Sequence, residues 1–148
     1  ETMEHYPLLK MLHMLPGILL LVGVLVHLFM LWKASRGGDA AILQRKLKRT
    51  RLISMPVLGL LALSLPVTGW LLVDLIGLPL SQTWLLLSSV LFGVLMVAGL
   101  LLAGRLSTWQ ALNGAPAPKR LLGFCAAYAG LIVLLLLVIM GLMGAKPA

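Results

Sequence analysis

The sequence predicts an all-α fold, a polytopic membrane protein built as an up-down bundle of four transmembrane helices. Three observations predict it. Of 148 residues, 61% are hydrophobic and 11% charged, with a mean hydropathy of +1.07, whereas a soluble domain carries about 25% charged residues. The apolar residues fall into four blocks, each near or above the ~20 residues a helix needs to cross a bilayer. The connections between the blocks alternate between strongly basic and cation-free, as loops on opposite sides of a membrane do. This composition excludes a soluble enzyme, a secreted disulfide scaffold and a disordered tail. The length fits one transmembrane domain covering residues 1–148.

The first block runs from about 7 to 32, too long for a signal-peptide core and without a basic stretch ahead of it. The others cover about 52–73, 83–103 and 121–143. Lipid offers the backbone no hydrogen-bond partners, so each span must be helical even where it is rich in Val. Pro56 falls at the start of the second span, where a missing N–H costs little. Pro16 and Pro66 lie inside spans and should bend them, with Ser64 and Thr68 near enough to satisfy groups freed around Pro66. Ser89 with Gly93 and Ala126 with Gly130 are small pairs of the spacing that suits close helix contacts. Asn113-Gly114-Ala115-Pro116-Ala117-Pro118 is a turn signal before the fourth span.

Charge sets the expected orientation. The chain has 12 Lys+Arg against 4 Asp+Glu. Lys33, Arg36, Arg45, Lys46, Lys48, Arg49 and Arg51 all fall in the first connection, with Asp39 alone against them, and 40–50 within it reads as a helical extension. The second connection, 74–82, has no cation, and the third has Arg105, Lys119 and Arg120. The positive-inside rule then puts the first and third connections in the cytoplasm and both termini in the periplasm of a bacterial inner membrane. Trp32, Trp70, Trp84 and Trp109 fall at or near span ends, as interfacial aromatics do. The basic loop faces anionic lipid headgroups; no nucleic-acid module accompanies the charge. Lys10, Asp74 and Lys146 should share the opposite rim, where Asp74 is expected to find a cation.

The chemistry concentrates in the first span, which holds Lys10, His13 and His27, and polar groups at membrane depth read as functional by default. The histidines are 14 residues apart, near-complete helical turns, so they share a face about 21 Å apart. His13, Gly17, Leu20, Val24 and His27 make that stripe. Gly17, one turn from His13, leaves room for a flat ligand or a close helix, which suits a histidine holding a haem inside a bundle. The chain has no histidine beyond position 27, so an opposing ligand would be a methionine: Met140 or Met143 at the depth of His13, or Met55 at the depth of His27. Copper is the alternative cofactor, since Met3-Glu4-His5 and Met11-Leu12-His13-Met14 mix thioethers with imidazoles. His13 is the candidate metal ligand in either case. Cys125 reads as a small buried hydrophobe. No nucleophile–base pair, phosphate loop or zinc motif is present, so the chain is not expected to be an enzyme by itself.

Tyr6-Pro7-Leu8-Leu9-Lys10-Met11-Leu12-His13-Met14 resembles the opening of a small bacterial four-span integral-membrane family of unknown function. Pro66-Val67-Thr68-Gly69-Trp70, the stretch from Gly77 to Trp84 and the terminal Ala145-Lys146-Pro147 add to the likeness. That family is similar to the membrane-bound haem-containing protoporphyrinogen oxidase and to the copper-resistance D family. The resemblance implies that His13, in its Lys-x-x-His setting, corresponds to the haem b ligand of the oxidase. The second ligand there is a lysine early in a later span, and Trp84-Leu85-Leu86-Leu87-Ser88 has none, which speaks against porphyrinogen oxidation.

Three functions are therefore expected, in this order. The first is a haem-b-binding membrane protein in electron transfer or haem handling, with Lys10 placed to meet a propionate. The second is a cofactor-free accessory subunit of a larger respiratory membrane complex, or a homo-oligomer. The third is copper handling.

Overall fold

In the computed structural model, which describes residues 6–79 and 81–145, the elements are α-helices with one π-helical insertion. They are α1 (Tyr6–Arg36), α2 (Ala40–Arg49), α3 (Met55–Ile76), α4 (Thr83–Ala111) and α5 (Lys119–Ala145). Four helices are long and apolar enough to cross a membrane, with α2 and α3 counted as one continuous rod from Ala40 to Ile76. The protein is an all-α, four-helix membrane bundle.

The first connection is far shorter than its charge pattern implied. α1 continues through Lys33 and Arg36, and the chain reverses over Gly37, Gly38 and Asp39. Gly38 takes a left-handed φ of 76°, which glycine adopts without a Cβ penalty. Asp39 then caps α2, its carboxylate accepting from the backbone N–H of Ala41 at 3.0 Å and of Ile42 at 3.3 Å. The helical extension expected over 40–50 is present as α2. It is amphipathic, with Leu47 buried and Arg45, Lys48 and Arg49 exposed.

α2 does not break before α3. Thr50–Ser54 form a π-helical turn, closed by the Met55 N–H donating to the Thr50 carbonyl. Such a turn changes which way the helix faces without interrupting its hydrogen bonding. Pro56 then stands in the first turn of α3, where its absent N–H leaves nothing unpaired. Neither Pro16 nor Pro66 interrupts its helix. Gly77, at φ 70°, ends α3, its N–H donating to the Asp74 carbonyl while Leu78 donates to Val73. Asn113 and Gly114, at φ 50° and 89°, make the expected turn before α5.

α1 packs along α3 and α4 packs along α5, and the two pairs meet where α1 touches α5 and α2 touches α4. Leu20, Ala62, Leu95, Leu136 and Ile139 form the core of one half. Leu31, Leu47, Leu106, Trp109, Leu121 and Cys125 form that of the basic half. The outward faces are apolar, as lipid requires: Leu100, Trp70 and Leu60 are each at least 69% exposed.

Two expectations about helix faces are corrected. Trp32 and Trp70 are exposed, but Trp84 and Trp109 are buried in the bundle; α4 runs eight residues past the predicted span end and carries Trp109 under α2, while Trp84 is buried in the first turn of the same helix. Ser89, Gly93, Ala126 and Gly130 all face outward, and a Cβ on either glycine would meet nothing within 4 Å. The close approach is made instead by Gly17, Gly23 and Gly69 in the α1–α3 pair.

Candidate functional site

Two polar bolts join α1 to the α2–α3 rod. The inward stripe of α1 is as expected: Gly17 and Leu20 are buried, and His13, Val24 and His27 half-buried. His13 Nδ1 lies 3.0 Å from Thr68 Oγ1 on α3. His27 Nε2 lies 2.8 Å from Ser54 Oγ on the π turn. The helices are antiparallel, so the 14 residues between the histidines are matched by the 14 between Ser54 and Thr68. One register produces both bonds.

Their protons follow from the neighbours' needs, since ring hydrogens are assigned from the network. The Thr68 hydroxyl has one proton, and carbonyls of its own helix claim it: Ser64 O at 2.8 Å and Leu65 O at 3.3 Å. Thr68 Oγ1 therefore accepts, and His13 donates from Nδ1–H. That leaves the His13 Nε2 lone pair free to accept a proton or bind a metal. At His27 the carbonyl of Gly23 takes Nδ1–H at 2.7 Å, so Ser54 donates to Nε2. Both nitrogens of His27 are engaged.

The surroundings of the two rings differ as well. A Cβ on Gly69 would lie 3.0 Å from His13 Cε1, so the imidazole approaches α3 closely where its backbone is bare. The slot predicted beside Gly17 is filled, since a Cβ there would meet Leu65 Cδ2 at 3.6 Å and Met140 Cε at 3.7 Å. Met140 thus reaches the α1 face one turn from His13 rather than at its level, and Met143 packs on the core. Met11 and Met14 are 57% and 50% exposed and do not converge on His13. Lys10 is exposed on the rim, and Asp74 forms no ion pair with a described residue. Met3, Glu4, His5 and Lys146 lie outside the described residues. Among the described residues no group of three His, Cys, Asp or Glu side chains could hold a metal ion.

His27 borders a cavity of about 290 Å³ in the basic half. Val24 and Leu31 of α1, Thr50 and Met55 of the α2–α3 rod, Leu106 of α4 and Cys125 of α5 line it. Trp32, Arg36 and Ala126, all exposed, stand at its edge, so it opens sideways between α1 and α5. The Arg36 guanidinium lies 5.3 Å from the centre of the Trp32 ring, a cation–π contact that holds a positive charge at this mouth. Thr50 is 2% exposed, and its Oγ1 has no hydrogen-bond partner.

That hydroxyl was not singled out from the sequence, where Thr50 reads as the end of a basic loop. A threonine next to a run of cations gives no sign of being buried. The signal that could have found it is the join to Pro56: an uninterrupted rod from α2 into α3 carries residue 50 into the bundle.

A family model described as a predicted integral membrane protein (DUF2269) matches residues 7–147. No curated protein matches this chain, and no solved structure matches it.

Proposed function

We propose that this chain, which belongs to the DUF2269 family of integral membrane proteins, binds a lipid-soluble ring compound bearing a carbonyl acceptor, quinone-like in chemistry, within the cavity beside His27. The observation that carries this reading is Thr50: a buried hydroxyl on the wall of an apolar chamber with no acceptor of its own. An unmade hydrogen bond at such a site costs about 1–3 kcal/mol, and a ligand carbonyl would restore it. The volume is at the small end of ligand pockets, about 300–1,000 Å³, which favours one compact ring system. The lateral opening lets such a molecule enter from the bilayer rather than from water.

Trp32 and Trp109 line the cavity, so a quinone bound there should quench their fluorescence. Titrating the detergent-purified protein with menadione should give saturable quenching. Thr50→Val keeps the shape and removes the donor, and should raise the midpoint about tenfold, the equivalent of one hydrogen bond of ~1.4 kcal/mol. Linear, unsaturable quenching, or an unchanged midpoint in a folded Thr50→Val protein, would refute the assignment.

Haem b ligation, in electron transfer or haem handling, is the second reading. It rests on the free Nε2 lone pair of His13, with the Met140 thioether one turn away. The filled slot at Gly17 counts against it, because Leu65 and Met140 would both have to swing aside for a porphyrin edge. Protein made with ample haem should show a Soret band that His13→Ala removes and His27→Ala retains. A colourless wild-type protein leaves His13 as a helix–helix bolt and favours the accessory-subunit reading. Copper handling falls behind both, since the outward Met11 and Met14 offer His13 no thioether.

The orientation belongs to the same proposal. The basic end, from Lys33 to Arg51, faces the bacterial cytoplasm, and both helical termini opposite face the periplasm. A reporter joined after Ala148 should be active in the periplasm, and one inserted at Gly38 in the cytoplasm. The reverse pattern would invert the membrane placement and leave the bundle unchanged.

A further inference from the structure

The strongest feature outside that cavity is a groove on the outer face where α1 meets α2. Leu25, Val26, Phe29 and Met30 of α1 form its apolar floor, and Lys33 of α1 with Lys46 of α2 form its basic end. The floor follows helical geometry: 25 and 29, and 26 and 30, are each one turn apart, and Lys33 follows Phe29 by one turn. Leu25, Val26 and Phe29 are 44%, 54% and 61% exposed, so a lipid chain can lie along them.

Neither lysine has an anionic partner within the described residues. Asp39 is the one carboxylate in the basic segment, and it is committed to the first N–H groups of α2. The counter-charge must come from outside. It meets two cations supplied by two helices, at the end of an apolar track two turns long. An isolated phosphate would use the cations and leave the track empty; a neutral lipid would use the track and leave the cations unpaired.

We propose that this groove is a seat for an anionic phospholipid, its phosphate between Lys33 and Lys46 and one acyl chain along Leu25 to Met30. The site is separate from the cavity beside His27, shares no lining residue with it, and does not depend on its ligand.

The test uses the full chain in nanodiscs of phosphatidylcholine doped with phosphatidylglycerol, with lipid retention read by native mass spectrometry after mild detergent exchange. The wild-type protein should retain phosphatidylglycerol selectively. Lys33→Gln with Lys46→Gln should lower its retention constant about 30-fold, corresponding to ~1 kcal/mol for each cation near anionic lipid. Arg45→Gln with Lys48→Gln removes the same charge from the same segment but from outside the groove, and should lower it less than threefold. Equal losses in the two double variants would show a diffuse basic surface and overturn the seat. So would equal retention of phosphatidylcholine, or a Lys33/Lys46 variant that keeps its lipid.

Discussion

His13 and His27 make the same kind of bond from the same helix and end in opposite chemical states. Each ring donates from Nδ1, His13 to Thr68 and His27 to the Gly23 carbonyl. The difference lies in the hydroxyl opposite. Thr68 spends its proton on the α3 backbone and can only accept; Ser54 gives its proton to His27 Nε2. One histidine therefore keeps a free lone pair in a tightly packed place, while the other is saturated beside an open cavity. An imidazole in a membrane helix is thus not available for ligation merely because it is there, since the partner's own backbone bonds decide whether a lone pair remains.

The largest effect should come from removing the bare backbone under His13. At Gly69 a Cβ already approaches the ring to 3.0 Å, and an imidazole wedged between helices cannot fold aside as a flexible chain tip does. Gly69→Val should cost about 2–3 kcal/mol of stability through overpacking, measured by reversible unfolding in mixed micelles. Gly23→Ala should cost less although the contact is nominally closer, at 2.7 Å, because the atom met is the tip of Leu58. If Gly23→Ala proves the worse of the two, His13 is not held as rigidly as the comparison requires.

Next in size is the saturated bolt. His27→Leu removes the cross-helix bond to Ser54 and leaves that hydroxyl to fall back on its own helix. The expected loss is about 1–1.5 kcal/mol, near the upper end for interhelical hydrogen bonds in membranes. His13→Leu breaks one bond to a hydroxyl already satisfied by backbone, and should cost about 0.5–1 kcal/mol. A double-mutant cycle with Ser54→Ala and Thr68→Val separates the pairs, and a larger coupling for His13–Thr68 would reverse the proton assignment. Smallest of all, Ser89→Leu on the outward face of α4 should change stability by no more than about 0.5 kcal/mol, though its spacing with Gly93 suggested a helix contact.

Much of this was legible in the residues. Four blocks of apolar sequence fixed four helices, because a backbone in lipid has no other way to satisfy its polar groups. The 14-residue interval put His13 and His27 on one inward face, whereas the depth argument set Met140 at His13 and the structure packs it against Gly17, one turn away. The reading failed where a residue's environment depends on its neighbour rather than its chain position. Gly17 looked like space, but Leu65 and Met140 come from other helices to fill it. Trp109 sat near a span end by number, but the length of α4 carries it under α2, and Trp84, near the other end of that helix, is buried as well.

Hydropathy and charge by themselves determined the class, the number of spans and the basic end, since solvation is a property of composition and position along the chain. Only the tertiary structure decided that α1 pairs with α3, that Thr68 and Ser54 rather than other hydroxyls meet the histidines, and that Thr50 is left without a partner. The reason is rotational. A helix surrounded by lipid gives no strong polar face to orient it, so which side turns inward is set by side-chain packing, and here by the extra residue of the π turn at Thr50–Ser54. That turn brings Ser54 to His27 and Thr50 to the cavity wall, an arrangement the packed bundle requires and no pattern of hydrophobicity records.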